Sequence, residues 1–307
     1  MKLAILYAGQ GSQHPGMGKD LYEAYPAFRA AFDAAALDFD LHSVCFEDPD
    51  GVLNQTEYTQ PCMVAFAAGV TAVLQENGVQ ADYLAGLSLG EYSALQAAGV
   101  FTAKQAVELA AYRGKAMADA AKGIDCGMTA VMNLDRDALA KCCEEASALG
   151  VVQICNYNCP GQIVITGYEA AVAEASEKLK EAGAKRVLPL NVSGPFHSPM
   201  MEAASQGLTE ALEGVGFMEL KIPYVTNVTG QYVRDTALTR GLLIQQVASG
   251  VRWQQSIEAM IADGVDTFVE IGPGRTLTGF LRKINRDVKG YNIRTYEEMH
   301  QVCETLL

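Results

Sequence analysis

The chain has 307 residues, of which 50% are hydrophobic and 19% charged, a composition typical of a folded globular protein rather than a disordered one. Its formal net charge of -13 argues against a general nucleic-acid-binding protein, because neutralising phosphates requires a basic surface and no Lys/Arg-rich run is present. No apolar run approaches the roughly 18 to 20 residues of a membrane span, and the N-terminus reads as a strand rather than a signal sequence, so we expect a cytoplasmic protein that binds neither nucleic acid nor membrane.

The eight cysteines are scattered along the chain. The adjacent Cys142 and Cys143, and the separated Cys155 and Cys159, have no second matching pair that would complete a zinc site. We therefore expect reduced structural thiols and no metal site.

The first predicted element is a buried strand at residues 3–8, followed by a glycine-rich loop at residues 9–18. The loop does not match a dinucleotide-binding motif, because His14 stands where Gly-x-Gly-x-x-Gly requires its third glycine. No Gly-Lys-Ser/Thr follows for a phosphate-binding loop either. Gln10 has a glycine on each side and can approach another group closely, which suits an oxyanion donor at the end of a strand.

Three helices are predicted in the first part of the chain, at residues 20–37, 58–75 and 102–117, with Thr102 as the N-cap of the third. The third helix carries Arg113 among small or apolar residues, so this face should be buried. Most arginines on helices are solvated, but a buried guanidinium requires an anion.

Gly86, Ser88 and Gly90 form a Gly-x-Ser-x-Gly set within residues 84–95. This pattern is typical of a nucleophile elbow, in which a strand ends abruptly, a helix begins at once and a serine hydroxyl is exposed on a strained turn. Residues 83–85 can form that strand and residues 91–98 that helix. Because so short a pattern also arises by chance, an ordinary structural turn is the alternative.

From residue 127 the predicted elements follow the order βαββαβ, which is that of a ferredoxin-like module. The strands are predicted at residues 128–132, 151–156, 162–166 and 184–190, and the helices at residues 135–149 and 168–182. Asn158-Cys159-Pro160-Gly161 is a good hairpin turn between the two central strands.

Residues 191–307 return to the first pattern. Strands are predicted at residues 224–227 and 267–271, and helices at residues 236–248, 253–262 and 277–285. We therefore predict an α/β fold, with a larger catalytic domain formed by residues 1–126 and 191–307 and a small α+β domain inserted at residues 127–190.

Ser88 is a weak nucleophile without a base, and the usual base is histidine. Of the four histidines, His42 and His300 lie in helix-like surface stretches and His14 in the glycine-rich loop. His197 lies in a loop between Gly-Pro and Ser-Pro and is the candidate base, with a solvated or structurally hydrogen-bonded histidine as the alternative. No Asp or Glu near it can be named as the third member of a triad.

Five motifs, in this order and spread over nearly the whole chain, resemble the malonyl-CoA:acyl carrier protein transacylases. They are Gly9-Gln10-Gly11-Ser12-Gln13, Gly86-Leu87-Ser88-Leu89-Gly90-Glu91-Tyr92-Ser93-Ala94, Tyr112-Arg113-Gly114-Lys115, Phe196-His197-Ser198 and Glu270-Ile271-Gly272-Pro273-Gly274. The resemblance implies an α/β-hydrolase-like domain with a parallel sheet and a nucleophile elbow, plus the ferredoxin-like insert.

The resemblance also implies the roles of the site residues. Ser88 would be the nucleophile and His197 the general base. In this family a backbone carbonyl orients the histidine in place of an acid, and the matching residue is Gln246. The backbone amides of Gln10 and Leu89 would form the oxyanion hole.

For the substrate, the resemblance pairs Arg113 with the free carboxylate of the malonyl group. Met117, Phe196 and Gln162 are further candidate substrate-binding residues, and an aromatic residue beside the base resembles malonyl-selective members of the wider acyltransferase family. Leu87 departs from the histidine often found before the nucleophile and can alter the walls of the acyl pocket. Malonyl-CoA is a substrate, and no cofactor is expected.

The implied reaction is a ping-pong transfer from malonyl-CoA to the phosphopantetheine thiol of acyl carrier protein, supplying fatty acid synthesis. A discrete acyltransferase of a polyketide assembly line could share all five motifs. A serine hydrolase would not need Arg113, and an inactive binding module would have no reason to keep Ser88, His197, Arg113 and Gln10 together. We expect a monomer.

Carrier proteins are generally acidic and this chain is acidic too, so attraction between them requires a local basic patch. The candidate patch follows the Gly272-Pro273-Gly274 turn and consists of Arg275, Arg282, Lys283 and Arg286. Arg282 and Arg286 are four residues apart on a predicted helix and would share one face. A solvated helix face is the alternative, and the second candidate patch lies in the small domain at Lys178, Lys185 and Arg186.

Overall fold

The computed structural model of the chain describes residues 1–190 and 194–307, whose strands form two separate sheets. The strands are Leu3–Tyr7 (β1), Tyr83–Gly86 (β2), Cys126–Met132 (β3), Val152–Cys159 (β4), Gln162–Tyr168 (β5), Arg186–Pro189 (β6), Tyr224–Val225 (β7), Tyr232–Val233 (β8), Thr267–Ile271 (β9) and Lys289–Ile293 (β10). The predicted domain boundary at residue 191, and Ser193 at the start of the His197 loop, lie outside the described residues.

The larger sheet has six strands in the order β10-β9-β1-β2-β7-β8. All neighbouring pairs are parallel except β7 with β8. Every residue of β1 and β9 is buried, which explains why these strands read as continuous apolar runs rather than as alternating patterns. The carboxyl ends of β1 and β2 lie side by side, since Tyr7 is in register with Gly86.

Twelve α-helices lie in the described ranges. They are Lys19–Ala24 (α1), Pro26–Phe32 (α2), Thr56–Glu76 (α3), Gly90–Ala97 (α4), Ala103–Ala121 (α5), Arg136–Ala146 (α6), Glu169–Glu181 (α7), Glu202–Glu213 (α8), Thr236–Gln246 (α9), Trp253–Ala262 (α10), Thr276–Ile284 (α11) and Tyr296–Leu306 (α12). Within the described part of the chain, no helix is long and apolar enough to cross a membrane.

The smaller sheet has four antiparallel strands in the order β4-β5-β3-β6. Helices α6 and α7 pack on it and bury a separate apolar cluster that includes Leu139, Ile165 and Leu179. The mixed α/β class with a parallel sheet is confirmed, as is the βαββαβ order of residues 126–189.

An isolated parallel bridge joins Asn156 on β4 to Val251, which lies between α9 and α10. The Val251 amide donates to the Cys155 carbonyl at 2.8 Å, and the Tyr157 amide donates to the Val251 carbonyl at 2.9 Å. The smaller sheet is therefore hydrogen-bonded to the segment between α9 and α10.

The start of α5 follows the sequence prediction. The Thr102 hydroxyl accepts from the Gln105 amide at 3.2 Å, and the Gln105 side chain accepts from the Thr102 amide at 2.9 Å, which makes a complete capping box. This helix runs four residues further than predicted, because nothing before Lys122 interrupts it.

The single helix predicted at residues 20–37 is wrong. The structure has two short helices that meet at Tyr25, and the second ends at Phe32. Pro26 has no amide hydrogen and disfavours a helical conformation in the preceding residue, and Tyr25 is accordingly extended, with φ -115° and ψ 116°.

The predicted helix at residues 277–285 ends one residue early, and this corrects the expected docking face. Asn285 is extended, with φ -152°, and its side chain accepts from the Asp287 amide at 2.8 Å. Arg286 therefore lies beyond α11, and the prediction that Arg282 and Arg286 share one helix face is wrong.

Candidate active site

The turn that carries Ser88 connects β2 directly to α4. Ser88 has φ +52°, a left-handed conformation that is costly for a residue with a side chain. A Cβ atom on Gly86 would lie 1.9 Å from the carbonyl carbon of Gly90, and one on Gly90 would lie 2.1 Å from the Tyr7 carbonyl oxygen. Both glycines are therefore required sterically, and the turn has the sharp strand-to-helix geometry predicted from the sequence.

Asn227 holds this turn from the side and was not predicted as a site residue. Its Oδ1 accepts from the Ser88 amide at 2.6 Å, and its Nδ2 donates to the Gly86 carbonyl at 2.7 Å. Because Asn227 is buried, these hydrogen bonds are shielded from water and stabilise the strained conformation of Ser88.

His197 lies against Ser88 across the turn. The Ser88 Oγ atom is 2.7 Å from His197 Nε2, while His197 Nδ1 lies 3.0 Å from the Gln246 carbonyl oxygen and 3.2 Å from that of Ser249. A carbonyl can only accept, so Nδ1 carries the proton and Nε2 is free to accept from the serine hydroxyl. Burial and the nearby charge of Arg113 lower the pKa of His197 to about 4, against the opposing effect of the two carbonyls.

Arg113 projects from α5 to the same serine and is fully buried. Its Nη2 atom donates to Ser88 Oγ at 3.1 Å and to Gln246 Oε1 at 3.0 Å, and its Nη1 atom donates to Gln60 Oε1 at 2.8 Å. Its Nε atom has no hydrogen-bond partner among residues 1–190 and 194–307. No ion pair within these ranges includes Arg113, so its charge has no carboxylate in direct contact.

The side chain of Gln246 makes contacts that the sequence did not predict. Its Nε2 atom donates to the Ser88 carbonyl at 3.0 Å and to Glu91 Oε2 at 2.7 Å, while its Oε1 atom accepts from Arg113. Only the main-chain carbonyl of Gln246 had been expected to contribute, through His197. No local pattern in the sequence marks such a buried amide.

Ser88 and His197 open into a cavity of about 280 Å³. Gln10, Leu89, Met117 and Phe196, all candidates from the sequence, also line it. The other lining residues come from the smaller sheet, from α3 and α11 and from the adjoining loops, and they are Gln60, Leu87, Met128, Asn156, Asn158, Val164, Leu190, Thr276 and Phe280. Within the described ranges, the backbone amides of Gln10 and Leu89 donate to no other group, which leaves both free beside the serine.

Two of the four predicted substrate-binding residues, Arg113 and Gln162, are absent from the cavity lining, but Arg113 contacts Ser88 directly and Gln162 does not. Gln162 is engaged elsewhere. Its Oε1 atom accepts from Lys283 Nζ at 3.1 Å, which joins β5 to α11. His14 is also absent from the cavity lining, and its ring contacts the Pro15 carbonyl at 3.1 Å.

The candidate docking residues are all exposed, but two of them are engaged. Arg275 forms an ion pair with Glu298 at 2.9 Å, and Lys283 is held by Gln162. Arg282 and Arg286 form no ion pair with the described residues. Among residues 1–190 and 194–307, no three His, Cys, Asp or Glu side chains are placed to hold a metal ion.

Comparison with known proteins agrees with this arrangement. The profile of the acyl transferase domain family matches residues 5–298. The malonyl CoA-acyl carrier protein transacylase of Bacillus subtilis is 41% identical over 308 residues, which cover 99% of this chain and 97% of that protein.

Two solved structures are similar over the same extent. The MCAT of Streptococcus pneumoniae superposes with a TM-score of 0.95 at 43% identity, covering 99% of this chain and 100% of that one. A malonyl-transacylase in complex with a type II PKS acyl-carrier protein superposes with a TM-score of 0.96 at 36% identity, again covering 99% and 100%. The resemblance carried by the five motifs is confirmed, and the chain belongs to the acyl transferase domain family.

Proposed function

We propose that this protein transfers a malonyl group from malonyl-CoA to the phosphopantetheine thiol of acyl carrier protein through a malonyl-serine intermediate. The names of its relatives support the overall reaction. The observation that carries the proposal is the convergence on Ser88 Oγ of His197 Nε2, at 2.7 Å, and Arg113 Nη2, at 3.1 Å, beside the cavity that Ser88 and His197 line. The first atom can take the serine proton, and the second can bind the acyl carboxylate.

In the first half-reaction, Ser88 Oγ attacks the thioester carbonyl carbon as its proton passes to His197 Nε2. The Gln246 and Ser249 carbonyls accept from Nδ1–H and stabilise the imidazolium that forms. The free amides of Gln10 and Leu89 would donate to the oxyanion of the tetrahedral intermediate. The C–S bond then breaks, and the sulfur of coenzyme A leaves with the proton from His197.

The second half-reaction reverses these steps with a different thiol. The carrier thiol gives its proton to His197 Nε2 and its sulfur attacks the malonyl carbonyl carbon. The bond to Ser88 Oγ breaks, and the serine recovers the proton. The same two side chains thus serve both half-reactions.

Arg113 would recognise the free carboxylate of the malonyl group. Its Nε has no partner, and its Nη2 would turn one hydrogen from Ser88 Oγ to the carboxylate while the other stays on Gln246. The two nitrogens would then present the planar, two-point donor arrangement that suits a carboxylate. Met117 and Phe196 would form apolar walls beside it, since both line the cavity. Gln162 could contribute only after releasing Lys283.

A polyketide carrier is the second candidate acceptor. A similar malonyl-transacylase has been solved with a type II PKS acyl-carrier protein, which supports a partner of that kind. The two alternatives share all of the chemistry above, and they differ only in which carrier protein accepts the malonyl group. A serine hydrolase is less well supported, because a neutral ester would leave Arg113 without an anion.

We further propose that residues 1–126 and 191–307 form an α/β-hydrolase-like catalytic domain and residues 127–190 a ferredoxin-like insert. The elbow between β2 and α4 supports the first assignment. The βαββαβ order and the separate apolar cluster support the second. The cytoplasmic location, the monomeric state and the lack of a cofactor stay predictions.

The mass of the intact protein after mixing with malonyl-CoA, acetyl-CoA or methylmalonyl-CoA tests the function. We expect a malonyl adduct that maps to Ser88 after digestion and that passes to a carrier protein added afterwards. Ser88→Ala should fold and give no adduct. An adduct that persists in that variant, or rapid release of malonate without a carrier, would overturn the proposal.

A further inference from the structure

Glu91 is a fully buried carboxyl group that the mechanism above does not use. It lies in the first turn of α4, three residues after Ser88. Its Oε2 atom accepts from the backbone amide of Asn227 at 3.1 Å and from Gln246 Nε2 at 2.7 Å. Its Oε1 atom has no hydrogen-bond partner in the described ranges.

The bond from Gln246 to Glu91 determines which end of the Gln246 amide faces Arg113. An amide side chain can exchange its oxygen and nitrogen by a half-turn, but a carboxylate only accepts. In its ionised form, which prevails above about pH 7, Glu91 therefore requires the nitrogen on its side, which leaves Oε1 to accept from Arg113. The Ser88 carbonyl favours the same orientation from 3.0 Å, but it carries no charge.

Glu91 is also placed to balance the charge of Arg113. Arg113 has no carboxylate in direct contact, and a single amide separates its guanidinium from Glu91. The other ionisable groups facing Glu91 are Tyr92 and Tyr224, and burial raises the pKa of both phenols. Burial raises the pKa of Glu91 to about 7, against the lowering effect of its hydrogen bonds and of Arg113.

We propose that Glu91 is a positioning residue for malonyl recognition, whose carboxylate orients the Gln246 amide so that this amide holds the Arg113 guanidinium at the acyl site. The inference rests on the proposed function. Without the negative charge, a neutral acceptor at position 91 holds the Gln246 nitrogen less strongly. The amide can then turn its nitrogen towards Arg113, where two donors face each other. Arg113 would shift, and a malonyl group would suffer more than an acetyl group, which has no carboxylate to bind.

The first test replaces Glu91 with glutamine, which keeps its size and removes its charge. In Glu91→Gln, the rate of loading from malonyl-CoA should fall by roughly 10- to 100-fold, since misplacement by about 1 Å can cost about 10²-fold. Loading from acetyl-CoA should fall much less, so the ratio of malonyl to acetyl loading should drop. Rapid-quench intact mass measures both rates, and thermal unfolding checks the fold.

Glu270→Gln is the matched control. Glu270 is equally buried, but its oxygens accept from the backbone amides of Leu277 and Thr278 and from the Asn292 side chain, and not from Gln246. This variant should lose stability and keep the malonyl-to-acetyl ratio of the wild type. A ratio that falls equally in both variants would show a general effect of burying an amide and would overturn the proposal.

The second test examines the link through Gln246. Gln246→Met keeps the main-chain carbonyl that accepts from His197 and removes both ends of the amide. This variant alone should lower the malonyl-to-acetyl ratio, and adding Glu91→Gln should lower it no further, because the two residues act in series.

Three outcomes would overturn the role of Glu91: an unchanged ratio in Glu91→Gln, an unchanged ratio in Gln246→Met, or multiplied losses in the double variant. An unchanged ratio in Gln246→Met would overturn the proposal even if Glu91→Gln does not fold. Wild-type protein that loads neither acyl group at Ser88 would instead contradict the proposed function. The two failures are therefore distinguishable.

Discussion

The His197 imidazole is held in one tautomer by two backbone carbonyls instead of a carboxylate. A carboxylate behind the ring would add a negative charge and favour the imidazolium, whereas neutral carbonyls do so only weakly. With Arg113 also close, burial prevails, and the pKa of His197 falls to about 4. The base is consequently neutral over the whole physiological range.

This low pKa predicts that loading is insensitive to pH where an ordinary histidine would titrate. His197 loses its basic form only as pH falls through about 4, so the rate of loading from acetyl-CoA should stay level from pH 8 to pH 5. A histidine with a pKa of about 6.5 would lose roughly 30-fold over that range. The measurement is kcat/KM for the first half-reaction against pH, and a decline centred near 6.5 would contradict the prediction. Acetyl-CoA is used because the acetyl group has no carboxylate that could pair with Arg113.

Arg113→Ala should lose malonyl loading selectively. Truncating one partner of a buried, hydrogen-bonded charge pair costs roughly 2–5 kcal/mol, or about 30-fold and more in rate, and an acetyl group lacks the other partner. The measured quantity is the malonyl-to-acetyl loading ratio. Arg240→Ala is the control, because Arg240 donates to the Leu212 and Val215 carbonyls away from the cavity. A ratio equal to that of the wild type would make Arg113 a structural residue only.

At this scale the sequence could single out Ser88, His197 and Arg113 as candidates, because each stands in a short motif with its own chemistry, and the structure brings the three together. Asn227, and the side chains of Glu91 and Gln246, could not be assigned roles in the same way. Their contacts join residues 136 to 158 positions apart, and no local pattern encodes which buried amide meets which carboxylate. The position of Gln162 outside the cavity lining could not be predicted either, because Lys283, which is distant in the sequence, holds its side chain.

Among the elements, the junction of β2 and α4 has the least freedom. Gly86→Ala should abolish loading and lower the melting temperature, because the new Cβ would lie 1.9 Å from the Gly90 carbonyl carbon and the turn would have to open. Gly214→Ala is the control, since Gly214 ends α8 with φ -84° and has no other atom within 4 Å of the added Cβ. Loading and thermal unfolding are measured on both. Wild-type loading in Gly86→Ala would show that the turn tolerates a side chain.

Elements that carry local signals were predicted well, and those that depend on neighbours were not. Helix α5 has a capping box, and α10 and β9 follow the predicted bounds. The short strand β8 and the edge strand β10 were missed, because each is defined by pairing with one neighbour rather than by its own pattern. Helix α8 was missed as well, and α12 was noticed only as a helix-like stretch around His300, although both helices bury apolar residues on one face.

For the whole molecule, the net charge of -13 bears directly on carrier binding. Total charge would repel an acidic carrier, so a local basic surface must attract it. Arg282 and Arg286 remain the best candidates, since Arg275 is paired with Glu298 and Lys283 is held by Gln162. They do not share a helix face, but both are exposed, and α11, which carries Arg282, also contributes Thr276 and Phe280 to the cavity lining.

Replacing both Arg282 and Arg286 with glutamate should slow transfer to the carrier by roughly tenfold or more at low salt and weaken its salt dependence. Loading of Ser88 from malonyl-CoA should barely change. Lys104→Glu, an exposed charge reversal on α5, is the control. Equal effects on both half-reactions, or none on either, would move the docking site to the surface around Lys178, Lys185 and Arg186.

The order of the six-stranded sheet could not be predicted, although its existence could. Its pairs join residues far apart in the chain, such as Leu3 with Thr267, and parallel pairing has no hairpin signal in the sequence. The antiparallel sheet was easier, because Pro160 and Gly161 mark the turn between β4 and β5. Composition and charge predicted the class of protein but nothing of these pairings.

The bridge between β4 and Val251 limits how the protein could be re-engineered. The small sheet pairs with Val251 through Asn156, and the Gln153 side chain on β4 donates to the His197 carbonyl at 3.4 Å. A chimera that exchanges residues 127–190 with those of a relative would therefore import new partners for the base. Such a graft should include residues 249–252, so that both sides of the bridge between β4 and Val251 come from the same parent.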